Sequence, residues 1–210
     1  MTTMKKVTMP LEEAFEGRHS IRKFKEGVVP QDDIVRIIRA AGLAPSAANR
    51  QAWHFVVVRN SSTIKAVSEA IRSTIDTMSA LPEYQGEVAT RLKGQVNNCN
   101  ILAAAPVVIA ALVQPSPPGL PTLRDYDAYD YDPNLQSVAA AIEHVHLMAH
   151  ALGYGTVWMT GPLFAAPRLE AVLKAAPPWR LAALIPLGVP AEAPAPRPRR
   201  PVEENITYLE

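Results

Sequence analysis

The sequence predicts an α+β sandwich in which one sheet lies between helical layers. Three strand-type apolar runs, "WHFVVVR", "APVVIAALV" and "RLAALIPLGV", are spread along the chain. Helical segments with recognisable start and stop signals stand between them. Strands and helices alternate without a clean βαβ rhythm, and no repeat of fixed period is visible. The chain has 210 residues, 48% of them hydrophobic, which suffices to bury the core of one domain. The expected layout is a single domain over 1–210, with 191–210 as an extended C-terminal arm.

Taken in order, Leu11 to Gly17 reads as a short helix that stops before a basic cluster. "VVPQDDIVRIIRAAG" is a better one, with Pro30 in the first turn, Asp32 and Asp33 at the positive end, and Gly42 at the stop. Ile34, Ile37, Ile38 and Ala41 fall on one face. "APSAANRQAW" is a polar loop feeding the strand "WHFVVVR". Ser61 or Ser62 caps a helix running to about Ser79, and Gly86 and Gly94 break the helical stretch from Leu81 to Asn100. "APVVIAALV" is a strand buried on both faces. Pro115 to Asp132 is a long loop rich in proline and tyrosine, of the kind that forms lids and binding loops. The clearest helix follows, capped by Asp132, opened by Pro133 and ended by Gly153, with Leu135, Val138, Ala139, Ile142, Val145, Ala149 and Leu152 at helical spacing. "TVWM" is a short strand, "PRLEAVLKAA" a helix and "RLAALIPLGV" the last core strand. The proline-rich tail cannot continue as a helix through Pro201.

Composition narrows the function. The net charge is +1 with 20% charged residues, which argues against a surface built throughout for nucleic acid or an anionic membrane. Any positive site must be local. The single Cys99 cannot form an internal disulfide, and its neutral neighbours Asn97, Asn98 and Asn100 would not activate a thiol, so a half-buried structural cysteine in a reducing compartment is expected. With no apolar leader at the N-terminus and no apolar run long enough to span a bilayer, the expectation is a soluble cytoplasmic protein.

Four constellations carry possible chemistry. In "EGRHSIRKF", an extended backbone puts Arg18, Ser20 and Arg22 on one side, a set of donors suited to a phosphate; a solvated basic turn has the same spacing. In "PRPRRP", Arg197 and Arg199 point the same way and offer further phosphate ligands; a disordered basic tail or a weak nucleic-acid contact are the alternatives. In "APSAANRQAW", Ser46, Asn49, Arg50 and Gln51 could read a planar heterocycle, or form an ordinary connecting loop. His146 and His150 have the spacing of a helical metal pair, but no third ligand stands at suitable spacing, and interface or solvent-facing histidines are favoured over a metal site. Gly153, Gly155 and Gly161 in "LGYGTVWMTGP" permit a close backbone approach to a ligand. The chain lacks Gly-x-Gly-x-x-Gly, a Gly-Lys-Ser phosphate loop and a Gly-x-Ser-x-Gly nucleophile turn.

The order of "RHSIRKF", "APSAANRQAWHFVVV", "LGYGTVWMTGP" and "PRPRRPVEENI" resembles the FMN-dependent nitroreductase family from about Leu11 to Ile206. The resemblance implies a three-layer α/β/α sandwich with a mixed, mainly antiparallel sheet. It implies a homodimer that exchanges its C-terminal arms and holds FMN at the subunit interface. Arg18, His19 and Ser20 would then hold the phosphate and ribityl chain, and Arg22 the carbonyl edge of the ring. Pro45 and Ser46 would pack under the flavin of the partner, Asn49 would bond the ring, and Thr160 and Gly161 would pass its N5 edge. Arg197 and Arg199 would close on the phosphate.

Two departures accompany the match. Ala52 replaces the usual proline and should loosen its turn, and Thr160 stands where many relatives carry glutamate. The implied activity is electron transfer from NAD(P)H through FMN to a nitroaromatic, quinone or enone in a ping-pong cycle, with no side chain as essential acid or base and no metal. Tyr126, Tyr129 and Tyr131 would line the acceptor pocket. Specialised flavin chemistry (reductive dehalogenation or flavin breakdown), a non-enzymatic flavin protein, and a nucleic-acid module on the arginine tail are the alternatives.

Overall fold

Seven consecutive apolar residues, Val107–Val113, form the central strand β2, and all seven are buried. Such a run satisfies its backbone only in the middle of a sheet covered on both faces. The computed structural model, which describes residues 7–116 and 132–209, provides that setting. β1 (Trp53–Val58) and β4 (Arg180–Gly188) flank β2, both antiparallel to it, and the two-residue β3 (Gly155–Thr156) pairs with β4, in the order β1-β2-β4-β3. A parallel bridge from Ser20 to Thr156 makes the sheet mixed.

Side-chain alternation along β2 divides the core in two. Val107, Ile109, Ala111 and Val113 meet α2 (Gln31–Ala41) and α6 (Pro133–Ala151) through Ile34, Ile37, Val138, Ile142 and Val145. Val108, Ala110 and Leu112 meet the layer made by α3 (Ser61–Ser79), α5 (Val96–Ala104) and α7 (Ala166–Leu173), through Val67, Ile71, Leu102 and Leu169. A register shift between Ala111 and Leu112 places Leu181 and Leu184 on this second face and Ala183 and Ile185 on the first. The three-layer sandwich follows from these two faces. α1 (Leu11–Gly17) and α4 (Glu87–Gly94) complete the helices.

Several expectations change in detail. Asn60, not Ser61 or Ser62, caps α3: its side chain accepts from the backbone N–H groups of Ser62 and Thr63. Both residue types cap well, and the deciding feature is which of them keeps an extended backbone. Pro30 stands one residue before α2 instead of inside its first turn. Leu135 is exposed, and its neighbour Asn134 turns inward to donate to the Gln114 carbonyl. "TVWM" pairs only at Thr156 and at Met159, the latter through a bridge to Leu184. The loop from Pro115 to Asp132, with Tyr126, Tyr129 and Tyr131, falls almost wholly outside the described residues.

Two of the three glycines meet the protein's own side chains, Gly155 at Ile21 and Gly161 at Gln95 and Asn98. A Cβ on Gly155 would lie 2.6 Å from Ile21 Cβ and Cγ1 and 2.7 Å from Cγ2. Gly153 has a φ of +85° and serves the turn after α6. Gly155→Ala should therefore push Ile21 off β3 and destabilise the fold by about 1–3 kcal/mol, measurable as a lower urea midpoint. An unchanged midpoint would show that the Ile21 contact is dispensable.

Candidate active site

The basic segment after α1 is held along its whole length. Arg18 N–H donates to Ala14 O and so ends the helix. Gly17, just before it, leaves room for His150: a Cβ there would lie 2.7 Å from His150 Nε2. Ser20 bridges Thr156 in parallel, and Ile21 N–H donates to Thr156 O at 2.9 Å. On the other side runs the start of the C-terminal arm. Lys25 N–H donates to Val189 O at 2.8 Å, Ala191 N–H donates to Lys23 O at 2.9 Å, and Phe24 bridges Pro190. The segment is thus a short extended piece between β3 and the arm.

This pairing assembles six of the sequence-predicted residues. Arg18, His19, Ser20, Arg22, Arg197 and Arg199 line one cavity of about 640 Å³, together with Phe15, Glu16 and residues 194–196. His19, which strict alternation would turn away, lines it as well. Four guanidinium groups face one lining carboxylate, that of Glu16, so the cavity is strongly electropositive. Arg18 Nε lies 3.5 Å from Glu143 Oε1 on α6, which orients its fork. Among the described residues Arg197 and Arg199 have no hydrogen-bond or ion-pair partner, so their donors remain available. A phosphate monoester, with close to two negative charges and three acceptor oxygens, fits this donor set. Lys23 is exposed and is absent from the lining.

The remaining five predicted residues lie elsewhere in the chain. Pro45, Ser46 and Asn49 belong to the turn between α2 and β1, and none lines the arginine cavity. Several hydrogen bonds tie that turn where Ala52 stands in place of proline. Ser46 Oγ accepts from Gln51 N–H, Ser137 Oγ accepts from Ala47 N–H, and Ala52 is buried with its carbonyl bonded to Gln114 N–H. Ala48, Asn49 and Gln51 all hold left-handed φ values near +50°. Side-chain bonds of this number can sustain such a conformation in the absence of proline. Thr160 and Gly161 are exposed beyond β3, and Gly161 packs on the half-buried amides of Gln95 and Asn98.

Residues that spacing alone did not single out support the cluster. Glu143 orients Arg18, and Glu192 bonds the basic segment. The histidines of α6 pack against neighbouring elements. His146 is only 3% exposed, its Nδ1 lies 2.6 Å from Thr156 Oγ1, and its ring stacks on Trp158. Burial, with the nearby Arg18 charge adding to it, pushes its pKa down to about 4, so the ring is neutral at pH 7. His150 is also shifted down, by burial and then by Arg18 and His19. His144 joins α6 to α2 through Ala40 O. Cys99 is fully buried, not half-buried, and burial raises its thiol pKa. Among the described residues no helix is long and apolar enough to cross a membrane.

Comparison with known proteins gives this geometry a context. The family model described as "Nitroreductase family" matches residues 15–189. A protein of Archaeoglobus fulgidus, provisionally named NADH dehydrogenase/NAD(P)H nitroreductase, is 34% identical over 142 residues, 68% of this chain and 62% of that protein. An iodotyrosine deiodinase of Nematostella vectensis is 28% identical over 96% of this chain and 75% of its own length. Among solved structures, a BluB-like flavoprotein from Clostridium difficile 630 superposes with a TM-score of 0.84 at 33% identity, covering 97% of this chain and all of that one.

Proposed function

The chain belongs to the nitroreductase family, and from that premise we propose that it is an FMN-dependent oxidoreductase working as a homodimer in the cytoplasm. The observation that carries the reading is the cavity in which Arg18, His19, Ser20, Arg22, Arg197 and Arg199 converge from opposite ends of the sequence. A structural relative at 33% identity is described as a flavoprotein, which favours a flavin phosphate over other phosphates. When bound, FMN would supply the chemistry by accepting hydride from NAD(P)H and passing electrons to a nitroaromatic, quinone or enone, each in its turn at one site.

The protein's part is to bind, orient and tune. Arg18, Arg197 and Arg199 neutralise the phosphate, His19 and Ser20 hydrogen-bond the phosphate and ribityl chain, and Arg22 offers a cation for negative charge at the ring's carbonyl edge. Pro45, Ser46, Asn49, Thr160 and Gly161 complete the ring's surroundings, Pro45 and Ser46 from the partner subunit. Exposed apolar side chains support pairing of two chains: Leu11, Phe15, Val28, Leu43 and Leu135 are each at least 47% exposed.

A purified preparation should be yellow, and NADH or NADPH should bleach it without oxygen. A colourless protein that fails to take up added FMN would refute the assignment. Similarity to a deiodinase over 96% of this chain supports a second reading, reductive dehalogenation. Iodide release from iodotyrosine by the reduced protein, with no turnover of quinones or nitroaromatics, would favour it.

A further inference from the structure

We propose that Glu192 is a positioning residue, a clasp that fixes the C-terminal arm to the basic segment and so holds Arg197 and Arg199 over the phosphate cavity; this rests on the reading of that cavity as an FMN site. One carboxylate oxygen, Glu192 Oε1, accepts from two consecutive backbone N–H groups, those of Arg22 at 2.7 Å and Lys23 at 3.2 Å. Among the described residues these are the last hydrogen bonds between the arm and the rest of the protein; the later ones join residues of the arm to each other. Beyond the clasp, Pro194, Pro196, Pro198 and Pro201 lack an N–H and cannot extend the pairing. They do stiffen the chain: an extended proline-rich segment rises about 3 Å per residue, which makes Glu192 to Arg199 a lever of roughly 20 Å. The direction of that lever is set where it is pinned.

The chemistry of the clasp suits this role. Glu192 forms no ion pair with an arginine among the described residues, so it spends none of the cavity's cations. Its charge is used by backbone N–H groups, as charge-assisted bonds that are stronger than neutral ones. It also borders the smaller neighbouring cavity, of about 200 Å³, which shares Arg18, His19 and Pro194 with the first.

The test is FMN affinity and release rate, followed by flavin fluorescence on the full-length protein. Glu192→Ala should weaken FMN binding about tenfold, the scale of losing hydrogen bonds to a charged acceptor. Glu192→Gln keeps an oxygen acceptor and should recover most of that loss. Glu192→Asp keeps the charge but shortens the reach; it should also bind more weakly, and it serves if Glu192→Ala does not fold. In an Arg197→Ala/Arg199→Ala background, Glu192→Ala should cost nothing further, because the clasp acts only through those arginines. An equal cost in both backgrounds, or unchanged or tighter binding by Glu192→Ala and Glu192→Asp, would overturn the clasp while leaving the FMN site standing. Unchanged FMN binding in Arg197→Ala/Arg199→Ala itself would overturn the arm's phosphate role and the proposal with it.

Discussion

Replacing Arg18 with alanine is expected to weaken FMN binding by about a hundredfold, the largest loss of any single arginine in the cavity. A charge-assisted hydrogen bond contributes about 1.5–3 kcal/mol, and a bidentate pair lies at the upper end. Arg18 has a second effect that Arg197 and Arg199 lack. It pairs with Glu143, and without it that carboxylate would face the incoming phosphate unneutralised. Arg199→Ala removes a ligand from an exposed arm and should cost closer to tenfold. Arg18→Lys separates charge from shape: the cation remains, but the fork that reaches two oxygens is lost. Titration of the apoprotein with FMN measures all three. If Arg18→Ala and Arg199→Ala bind FMN like the parent protein, the phosphate does not sit among these residues.

Stability should fall as pH drops from 6.5 toward 4, and His146 should account for much of the fall. In the unfolded chain its pKa is near 6.5; in the fold it is held at about 4, by burial first and by Arg18 second. Above pH 6.5 the ring is neutral in both states and contributes no pH dependence. Between 6.5 and 4 the unfolded chain takes up a proton that the folded chain refuses, so unfolding is favoured. Below about 4 both states are protonated and the dependence ends. The full difference corresponds to roughly 3 kcal/mol. His150 contributes with the same sign, so the comparison must be with His146→Asn, which removes the titration and keeps a donor near Thr156 Oγ1. Urea midpoints measured across this window should drop less steeply in the variant. Parallel curves would show that His146 is not the titrating group.

Helix and strand positions were legible because burial imposes a period. Val107–Val113, a short run rich in β-branched residues, reads as a covered strand, and Asp132-Pro133 reads as a helix opening; both are found. Which neighbour a side chain meets is not written in its period. The four-residue spacing of His146 and His150 shows that both sit on one side of α6, but Thr156 claims one and Gly17 accommodates the other through contacts between distant elements. Asn60 and Ser61 are equivalent caps until the backbone chooses. Arg18 and Ser20 could be paired by local alternation, and the arm arginines joined them through the order of motifs along the chain. Glu192 gave no such signal: in sequence it is one acid in a proline-rich tail, and only the tertiary pairing of residues 22–25 with 189–191 gives it partners. Pro45, Ser46 and Asn49 lie outside the arginine cavity of their own chain.

The bond from Arg22 N–H to Glu192 spans 170 positions, and this has a bearing on synthesis. A ribosome releases the basic segment well before the arm. The sheet needs only β1 to β4, yet the cavity needs residues from both ends of that span. Loop closure over such a distance is costly before the core has formed, and inexpensive once β4 has already brought Val189 beside Lys25. Closing the anion site is therefore inexpensive only after β4 has joined the sheet.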